Sequence, residues 1–466
     1  MARLPVPRSE LTRIEGVRGR PVEPVSEPVL EVIEVLRAAG HAAYLVGGSL
    51  RDLYLGRQPA DWDLATDARP ERVVELLPGS LYENRFGTVA FRRGRERFEI
   101  TTFRQDHDYA DFRRPHRVEF GETIEVDLAR RDFTVNALAW GGRPGEPLGL
   151  IDRHAGLADL DARRLRAVGD PLVRFGEDAL RMVRAVRLAT TLDFAIEPRT
   201  LAGIEARAEL VRHLSGERIA AELEKILAAP QPSLGLGLLE TSGLLGWIAP
   251  PLAAQRGVPQ NKSPGEDLWD HTLRSVDAVP IDRPVVRLAA LVHDIGKPST
   301  FAEDRFVGHD AVGAELAGEL LGRLRFPRST VERVVHLVRQ HMFAYEPTWG
   351  DSAVRRFIAK IGGPALEELF ELRRADNVGS GLEADAGGLA ELRARIAEQL
   401  AAEVALDRRD LAIDGEDLIA ELGATPGPRL GAVLERLLEA VIEDPSLNDR
   451  PTLLLLAQAQ LAEDAS

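Results

Sequence analysis

The stretch around which the chain is organised is Tyr44-Leu-Val-Gly-Gly-Ser-Leu-Arg-Asp52. A second segment, Asp61-Trp-Asp63, begins nine residues after it. The apolar run before the glycines predicts a buried strand, and Ser49 is expected to cap a helix over 50–55. Backbone N–H groups at such a turn suit a phosphate, because they point outward and the helix dipole favours negative charge. In an extended segment Asp61 and Asp63 face the same way, so they can hold Mg²⁺ against a triphosphate.

Length and composition predict a multidomain globular protein. The 466 residues, 44% hydrophobic and 29% charged, exceed one ordinary core. Cysteine is absent, so disulfides and Cys-ligated zinc are excluded and any metal must be held by His and carboxylates. Residues 1–28 contain five prolines and lack the apolar segment of a signal peptide, and no stretch of about 18 uncharged apolar residues follows. We therefore expect no membrane partner and a cytoplasmic location.

The charge distribution is uneven along the chain. The net charge of −15 argues against a protein that wraps nucleic acid nonspecifically. Residues 161–190, however, carry seven arginines against four acids, namely Arg163, Arg164, Arg166, Arg174, Arg181, Arg184 and Arg187 against Asp161, Asp170, Glu177 and Asp178. A local basic surface is therefore compatible with the acidic total.

The order of strand and helix patterns divides the chain. Strand patterns dominate from Ala42 to about Trp140, helical patterns follow Asp170, and a Pro/Gly-rich segment at 249–265 marks a boundary. The fold class expected is α+β, with a small N-terminal α/β head followed by all-helical domains. The expected parts are a lead-in, the head, a helical region, a second helical unit and a helical tail, at residues 1–28, 29–150, 151–255, 266–380 and 381–466.

Four segments together resemble the polymerase-beta superfamily, and specifically the family of class II CCA-adding tRNA nucleotidyltransferases and poly(A) polymerases. In chain order they are Leu45-Val-Gly-Gly-Ser-Leu-Arg-Asp52, Asp61-Trp-Asp63, Arg130-Arg-Asp-Phe-Thr-Val-Asn-Ala137 and Glu177-Asp-Ala-Leu-Arg181. A lone Gly-Gly or Asp-x-Asp is more often an ordinary turn or an acidic loop, but both within 17 residues favour nucleotidyl transfer. The resemblance implies a polymerase-beta-like nucleotidyltransferase head.

The resemblance also implies roles for the matching residues. Asp61 and Asp63 would be catalytic and hold Mg²⁺, and Glu99 is either a third carboxylate or part of a solvated strand face. Asp178 and Arg181 would read the base of CTP or ATP, although on one helix such a pair most often forms a salt bridge. Arg131–Asp132 would otherwise be a structural ion pair. The nucleotide-binding set implied is Gly47, Gly48, Arg51, Arg131, Asp132, Asn136, Asp178, Arg181, Arg184 and Arg187.

The implied reaction is the addition of CCA to tRNA 3′ ends from CTP and ATP, with tRNA held by the arginines of 161–190 and by shape. Residues 105–115 resemble the flexible loop of enzymes that add the terminal A, which disfavours a CC-only enzyme. The segment Arg85-Phe-Gly-Thr-Val-Ala90 resembles the tRNA-directed branch, and the acidic tail differs from the basic tail of poly(A) polymerases. An A-adding enzyme or a poly(A) polymerase is the alternative.

A histidine set in 266–380 resembles the HD phosphohydrolase superfamily, and this segment holds five of the ten histidines. The resemblance implies a divalent metal, Mn²⁺, Ni²⁺, Mg²⁺ or Fe, that activates water against a phosphate ester. Its ligands would be His271, His293, Asp294 and the distant Asp376. His309 and His341 resemble the extra histidines of such sites, and His336 is expected to be structural.

Two other classes of function stay open at this stage. One is a phosphohydrolase whose head only binds a regulatory nucleotide, which the intact Asp61 and Asp63 disfavour. The other is an RNA-binding protein without enzymatic activity, which would leave two metal-ligand sets without a purpose.

Overall fold

A computed structural model of the chain describes residues 25–84, 87–107, 117–260, 265–402 and 404–463. They divide into two compact units, with the division between Pro250 and Pro251. The lead-in up to residue 24, residues 85 and 86, and most of the 105–115 loop lie outside the described residues. Within the described part, no helix is long and apolar enough to cross a membrane.

The strands of the first unit are short. They are β1 (Ala43–Val46), β2 (Trp62–Thr66), β3 (Leu81–Asn84), β4 (Thr88–Arg93), β5 (Glu96–Thr102), β6 (Arg104–His107), β7 (Arg117–Phe120), β8 (Leu138–Gly142), β9 (Gly149–Asp152), β10 (Arg164–Leu165) and β11 (Ala195–Ile196). Seven of them form one mixed sheet in the order β3-β4-β5-β2-β1-β8-β9. Only β2 and β5 pair in parallel in this sheet; its other neighbouring pairs are antiparallel.

Helices flank this sheet and follow it. They are α1 (Glu27–Ala38), α2 (Gly47–Tyr54), α3 (Pro70–Leu76), α4 (Ile124–Ala129), α5 (Gly156–Asp161), α6 (Pro171–Glu177), α7 (Leu180–Leu192), α8 (Pro198–Arg207), α9 (Gly216–Leu227), α10 (Pro232–Thr241) and α11 (Leu244–Ile248), with 3₁₀ turns at Thr134–Asn136 and Ala208–His213. Asp178 has extended backbone angles, φ −143° and ψ 107°. The expectation that Asp178 and Arg181 lie on one helix is therefore wrong, because the chain bends between α6 and α7.

The turn between β1 and α2 positions the predicted phosphate site. All four residues of β1 are buried, and the strand pairs with both β2 and β8, as expected for a central strand. The helix begins directly at Gly47, so Ser49 lies inside it and the predicted Ser49 cap is wrong. Instead, Ser49 Oγ donates to the carbonyl of Val46 (2.9 Å) and accepts from the N–H of Asp63 (3.2 Å). Ser49 thereby ties the turn to β2.

The second unit is helical. Its helices are α12 (Pro250–Ala253), α13 (Leu268–Ala278), α14 (Pro284–Val292), α15 (Lys297–Thr300), α16 (His309–Arg323), α17 (Arg328–Gln340), α18 (Asp351–Ile361), α19 (Gly363–Gly379), α20 (Leu389–Ala401), α21 (Gly415–Leu422), α22 (Pro428–Glu443) and α23 (Arg450–Glu463), with 3₁₀ turns at Arg408–Asp410 and Pro445–Leu447. A single two-stranded ribbon among its described residues pairs β12 (Phe301–Ala302) with β13 (Arg305–Phe306). The predicted α+β class, with an α/β head before helical parts, is confirmed.

Candidate functional site

Gly47 lies at the centre of the candidate active site of the head. Its φ is 71°, and a Cβ on it would lie 2.9 Å from Arg131 Nη1 and 3.0 Å from Asp63 Oδ2. A side chain here would be strained and would displace both charged groups. The neighbouring Gly48 donates its backbone N–H to Asp63. Glycine therefore lets a carboxylate and a guanidinium face the same helix N-terminus.

Three carboxylates crowd this turn. Asp63 on β2 is the register partner of Glu99 on the parallel strand β5, and Asp61 precedes β2 by one residue. Burial raises the pKa of Asp63 from 3.8 to about 6, Arg131 opposes that rise, and the charges of Glu99 and Asp61 add to it. Glu99 also binds Arg97 at 3.1 Å. A set of carboxylate oxygens that repel one another fits Mg²⁺, because a bound cation would relieve the repulsion.

A hydrogen-bonded chain joins four of the predicted nucleotide-binding residues. Arg51 Nη1 donates to Asn136 Oδ1 (2.7 Å), and Asn136 Nδ2 donates to Asp132 Oδ1 (3.1 Å). Asp132 Oδ2 then pairs with Arg184 Nη2 at 3.0 Å. The chain links α2, a 3₁₀ turn and α7. Asp132 is therefore paired with Arg184, and the alternative reading of Arg131–Asp132 as an ion pair is wrong.

Asp127 is a site residue that the sequence reasoning missed. Its side chain is fully buried on α4, and its Oδ2 accepts from Arg131 Nη2 at 3.0 Å. Its Oδ1 accepts from Arg130 Nε at 2.9 Å. Asp127 thus fixes the guanidinium that faces Gly47. The spacing of four residues between Asp127 and Arg131 was the available signal.

Replacing Asp127 by Asn is expected to destabilise the first unit by about 3 kcal/mol, because two half-buried guanidinium groups lose their counter-charge. Arg130 and Arg131 outweigh burial and hold the pKa of Asp127 below 3.8. The full loss of unfolding free energy should therefore be seen at neutral pH, and the difference between the two proteins should shrink as the pH falls below about 4. Urea unfolding at several pH values measures it.

The control for this prediction is Glu125→Gln on the same helix. Glu125 makes an exposed pair with Arg153 at 3.4 Å, so its loss should cost less than about 1 kcal/mol. Equal destabilisation by the two variants would contradict the anchoring role of Asp127.

Asp178 and Arg181 each have their own partner. Asp178 follows α6, and its Oδ2 pairs with Arg218 Nη2 at 2.7 Å. Arg181, near the start of α7, pairs with Glu177 and donates to the carbonyl of Arg130 at 3.0 Å. The alternative of a salt bridge between Asp178 and Arg181 on one helix is therefore wrong. Asp178 is held by a residue from the distant helix α9, which sequence spacing did not indicate, whereas Glu177 and Arg181 are four residues apart in the chain.

The arginines of 161–190 do not form a free basic surface. Each of the seven has an acidic partner: Arg163 with Asp193, Arg164 and Arg166 with Asp159, Arg174 and Arg181 with Glu177, Arg184 with Asp132, and Arg187 with Glu222. Asp159 is fully buried between its two arginines. Acids outside the stretch, Asp132, Asp159, Asp193 and Glu222, pair with five of the seven arginines, and the binding of tRNA by these arginines stays a prediction.

The second unit brings all four predicted HD ligands together. His271 Nε2 lies 3.1 Å from His293 Nε2, 3.3 Å from Asp294 Oδ2 and 3.4 Å from Asp376 Oδ1. His293 Nε2 lies 3.2 Å from Asp294 Oδ2. These four side chains are buried. Their nitrogen and oxygen atoms converge on one point, and this donor set fits a divalent transition metal.

The other oxygen of Asp294 faces a second group. Asp294 Oδ1 lies 3.4 Å from His309 Nε2 and 3.7 Å from His341 Nε2. Both Nε2 atoms are buried and have no hydrogen-bond partner. His271, His293 and Asp376 form one possible ligand group, and Asp294, His309 and His341 form another, each with its ligand atoms within 4.8 Å of one another. Asp294 therefore lies between two candidate metal positions.

Backbone carbonyls orient three of these imidazoles. Nδ1 of His293 lies 2.8 Å from the carbonyl of Ala290, and Nδ1 of His341 lies 2.6 Å from that of Val338. Nδ1 of His309 lies 2.7 Å from the carbonyl of Phe306. A carbonyl only accepts, so Nδ1 carries a proton and Nε2 is the ring atom that faces the cluster.

Of two further side chains in this unit, Lys297 contacts the centre and His336 does not. Lys297 Nζ lies 2.6 Å from Asp294 Oδ2, a contact that sequence reasoning did not anticipate. Lys297 therefore neutralises part of the buried negative charge. His336 Nε2 lies 2.8 Å from the carbonyl of Ile361, away from the cluster, as a structural histidine would.

Comparison with known families gives three matches along the chain. Residues 43–166 match the Poly A polymerase head domain. Residues 193–256 match the probable RNA and SrmB-binding site of polymerase A, and residues 256–380 match the HD domain.

Relatives with similar identity differ in what they add. The CCA-adding enzyme of Geobacillus kaustophilus is 32% identical over 92% of this chain and 96% of that enzyme. The A-adding tRNA nucleotidyltransferase of Deinococcus radiodurans is 35% identical over 85% of this chain and 91% of that enzyme. The CC-adding tRNA nucleotidyltransferase of Thermus thermophilus is 37% identical over 86% of this chain and 90% of that enzyme. A match to the CCA-adding enzyme of Levilactobacillus brevis, 47% identical, spans only 54% of that enzyme.

Solved structures agree with these matches. The Bacillus stearothermophilus CCA-adding enzyme in complex with CTP is 28% identical, with a TM-score of 0.69 over 95% of this chain and 100% of that one. The arrangement of Gly47, Asp63 and Arg131 thus occurs in a fold that nucleotidyltransferases use. The chain belongs to the family of tRNA nucleotidyltransferases and poly(A) polymerases, and it carries an HD domain in its second unit.

Proposed function

We propose that this protein adds CCA to the 3′ ends of tRNA, using CTP and ATP and releasing pyrophosphate. One observation carries the proposal: the Gly47 turn holds Asp63 and Arg131 within reach of each other, beside Glu99, in a chain related along most of its length to CCA-adding enzymes. We also propose a cytoplasmic location, where these substrates are present.

The head residues would divide the work between metal and triphosphate. Asp61 and Asp63, with Glu99, would hold Mg²⁺, which would activate the attacking hydroxyl and neutralise charge on the triphosphate. The N–H groups at the start of α2 and the guanidinium of Arg131 would bind the phosphates. Asp127 would keep Arg131 in place, so that this cation needs no reorientation when the nucleotide arrives.

Base selection would use side chains that are fixed before the nucleotide binds. Arg181 is held by Glu177 and a carbonyl, and Asp178 is held by Arg218. A donor and an acceptor with fixed orientations can distinguish the hydrogen-bonding edges of C and A from those of G and U. The chain of Arg51, Asn136, Asp132 and Arg184 would support this surface from the head side.

The decisive experiment uses a tRNA that ends in its discriminator base. We expect CTP alone to extend it by two residues, ATP alone to give no extension, and both together to give three. A product that stops at CC with both nucleotides would show a CC-adding enzyme. If ATP extends only a tRNA that already ends in CC, the protein is an A-adding enzyme. If ATP gives long A tails, the protein is a poly(A) polymerase.

A second activity is favoured by the cluster around Asp294. We propose a metal-dependent phosphohydrolase that acts on cyclic nucleotides or phosphoester ends. His271, His293, Asp294 and Asp376 would hold one ion, and His309 and His341, which face the other oxygen of Asp294, would offer ligands for a second. The unpartnered, buried Nε2 atoms of His309 and His341 support the second position. Bound metal would supply a hydroxide nucleophile at neutral pH.

A further inference from the structure

We propose that Arg174 is a positioning residue that couples the reading of the base to the placement of the triphosphate. It contacts the backbone beside Arg131, which would bind the phosphates, and it shares a carboxylate with Arg181, which would contact the base. This role rests on the proposed function, because Arg174 would act on nucleotide addition only through Arg131 and Arg181.

The guanidinium of Arg174 holds one end of the segment that carries Arg131. Its Nη2 donates to the carbonyl of Ala129 at 3.0 Å. Helix α4 ends at Ala129, so this carbonyl is one of those that find no partner within the helix and need a donor from elsewhere. Arg131 follows two residues later. Arg174 therefore fixes the backbone from which the side chain of Arg131 extends.

The same guanidinium reaches the other end of this segment through Val168. Arg174 Nε donates to the carbonyl of Val168 at 3.2 Å. The N–H of Val168 donates in turn to the carbonyl of Asp132 at 3.1 Å. Residues 130–132, which include two of the predicted nucleotide-binding side chains, are thus bracketed by contacts that lead to one arginine.

Glu177 connects Arg174 to Arg181. Glu177 Oε2 accepts from Arg174 Nη1 at 2.8 Å and also pairs with Arg181. Arg181 Nη1 donates to the carbonyl of Arg174 at 3.0 Å, and its Nη2 donates to the carbonyl of Arg130 at 3.0 Å. The two arginines therefore share one carboxylate and hold the neighbouring carbonyls of Ala129 and Arg130.

Burial and the shape of the guanidinium make Arg174 hard to replace. The side chains of Arg174 and Arg181 are only 13% and 11% exposed, so water has little access to their contacts. The planar fork of Arg174 serves three acceptors at once, on Ala129, Val168 and Glu177. A lysine ammonium is a single point of charge and cannot span them. Misplacement of a reacting group by about 1 Å can cost about a hundredfold in rate.

The test replaces Arg174 by Gln in the full chain and uses a tRNA that ends in its discriminator base. We expect kcat/KM for CTP to fall by about tenfold or more, and the preference for CTP over UTP to fall by about tenfold. The KM for tRNA should stay within about twofold of the wild-type value. Arg174→Lys should show the same losses, because it keeps the charge without the fork. If the wild type incorporates only AMP, the comparison is ATP against GTP.

Arg37→Gln is the matched control. The side chain of Arg37 is 14% exposed, and it also donates to the backbone carbonyls of a distant segment, those of Arg143 and Glu146. Its loss should lower the melting temperature and leave the preference for CTP over UTP unchanged. An equal fall in this preference in Arg37→Gln would show a general effect of destabilisation and would overturn the positioning role.

Equilibrium binding of CTP and UTP in the absence of tRNA separates this role from the proposed function. A wild type that prefers CTP but incorporates neither nucleotide would refute the proposed function, and a weaker preference in Arg174→Gln would still support the positioning role. A wild type without any preference would refute both. An unchanged preference in Arg174→Gln, or its full recovery in Arg174→Lys, would overturn the role. A raised KM for tRNA with an unchanged preference would assign Arg174 to RNA binding instead.

Discussion

Asp63→Asn is expected to lower kcat for nucleotide incorporation by about a thousandfold or more. Asparagine keeps the shape of the side chain but removes the charge that would hold Mg²⁺, and a catalytic metal contributes several kcal/mol to transition-state stabilisation. The carboxylate lies beside Gly47 and Arg131, in the group of three carboxylates proposed to hold the metal. Single-turnover incorporation of CMP into tRNA at saturating Mg²⁺ measures the effect.

The matched control for this prediction is Asp67→Asn. Asp67 follows the other end of β2 and accepts hydrogen bonds from the N–H of Ala42 and from His41. Its replacement should leave the rate of incorporation within about twofold. Incorporation by Asp63→Asn at a comparable rate would refute the assignment of Asp63 as a metal ligand.

Asp294→Asn is expected to lower the rate of hydrolysis of 2′,3′-cyclic phosphates by about a thousandfold or more. It is also expected to reduce the amount of bound metal. Asp294 is the only described residue that faces both candidate positions, with Oδ2 toward His271 and His293 and Oδ1 toward His309 and His341. The metal content of the purified protein, measured by mass spectrometry, should fall from about two ions to less than one per chain.

The two activities should be lost independently. Asp294→Asn should still incorporate CMP, and Asp63→Asn should still hydrolyse cyclic phosphates, because the residues lie in separate compact units. Asp304→Asn, in the turn between β12 and β13, is a control that should keep both activities and the full metal content. Hydrolysis retained by Asp294→Asn would refute the HD centre as its site.

Local patterns predicted those parts of the protein whose neighbours in sequence are also neighbours in space. The buried strand before Gly47 and the extended segment that carries Asp63 are examples, because alternation and glycine placement act over a few residues. The four HD candidates, whose side chains lie close together, were predicted through a resemblance in which His293 and Asp294 are adjacent.

Other predictions failed where the partner of a charged group comes from a distant segment. Arg184 on α7 reaches back to Asp132, and Arg218 on α9 reaches Asp178. The count of seven arginines in 161–190 leaves out the partners of five of them, such as Asp193 and Glu222, because these acids lie outside that stretch. A count of charges along the chain cannot indicate which of them meet in the fold.

Residue types and motifs read along the chain indicated the α+β class, the family and the two sets of metal-ligand candidates. The folded arrangement was needed to show that Asp127 contacts Arg131, that Gly47 has no room for a Cβ, and that Asp294 lies between two histidine groups. These contacts join α2, α4 and β2 in the first unit, and α13, α14, α16 and α17 in the second. Such contacts exist only after the elements pack.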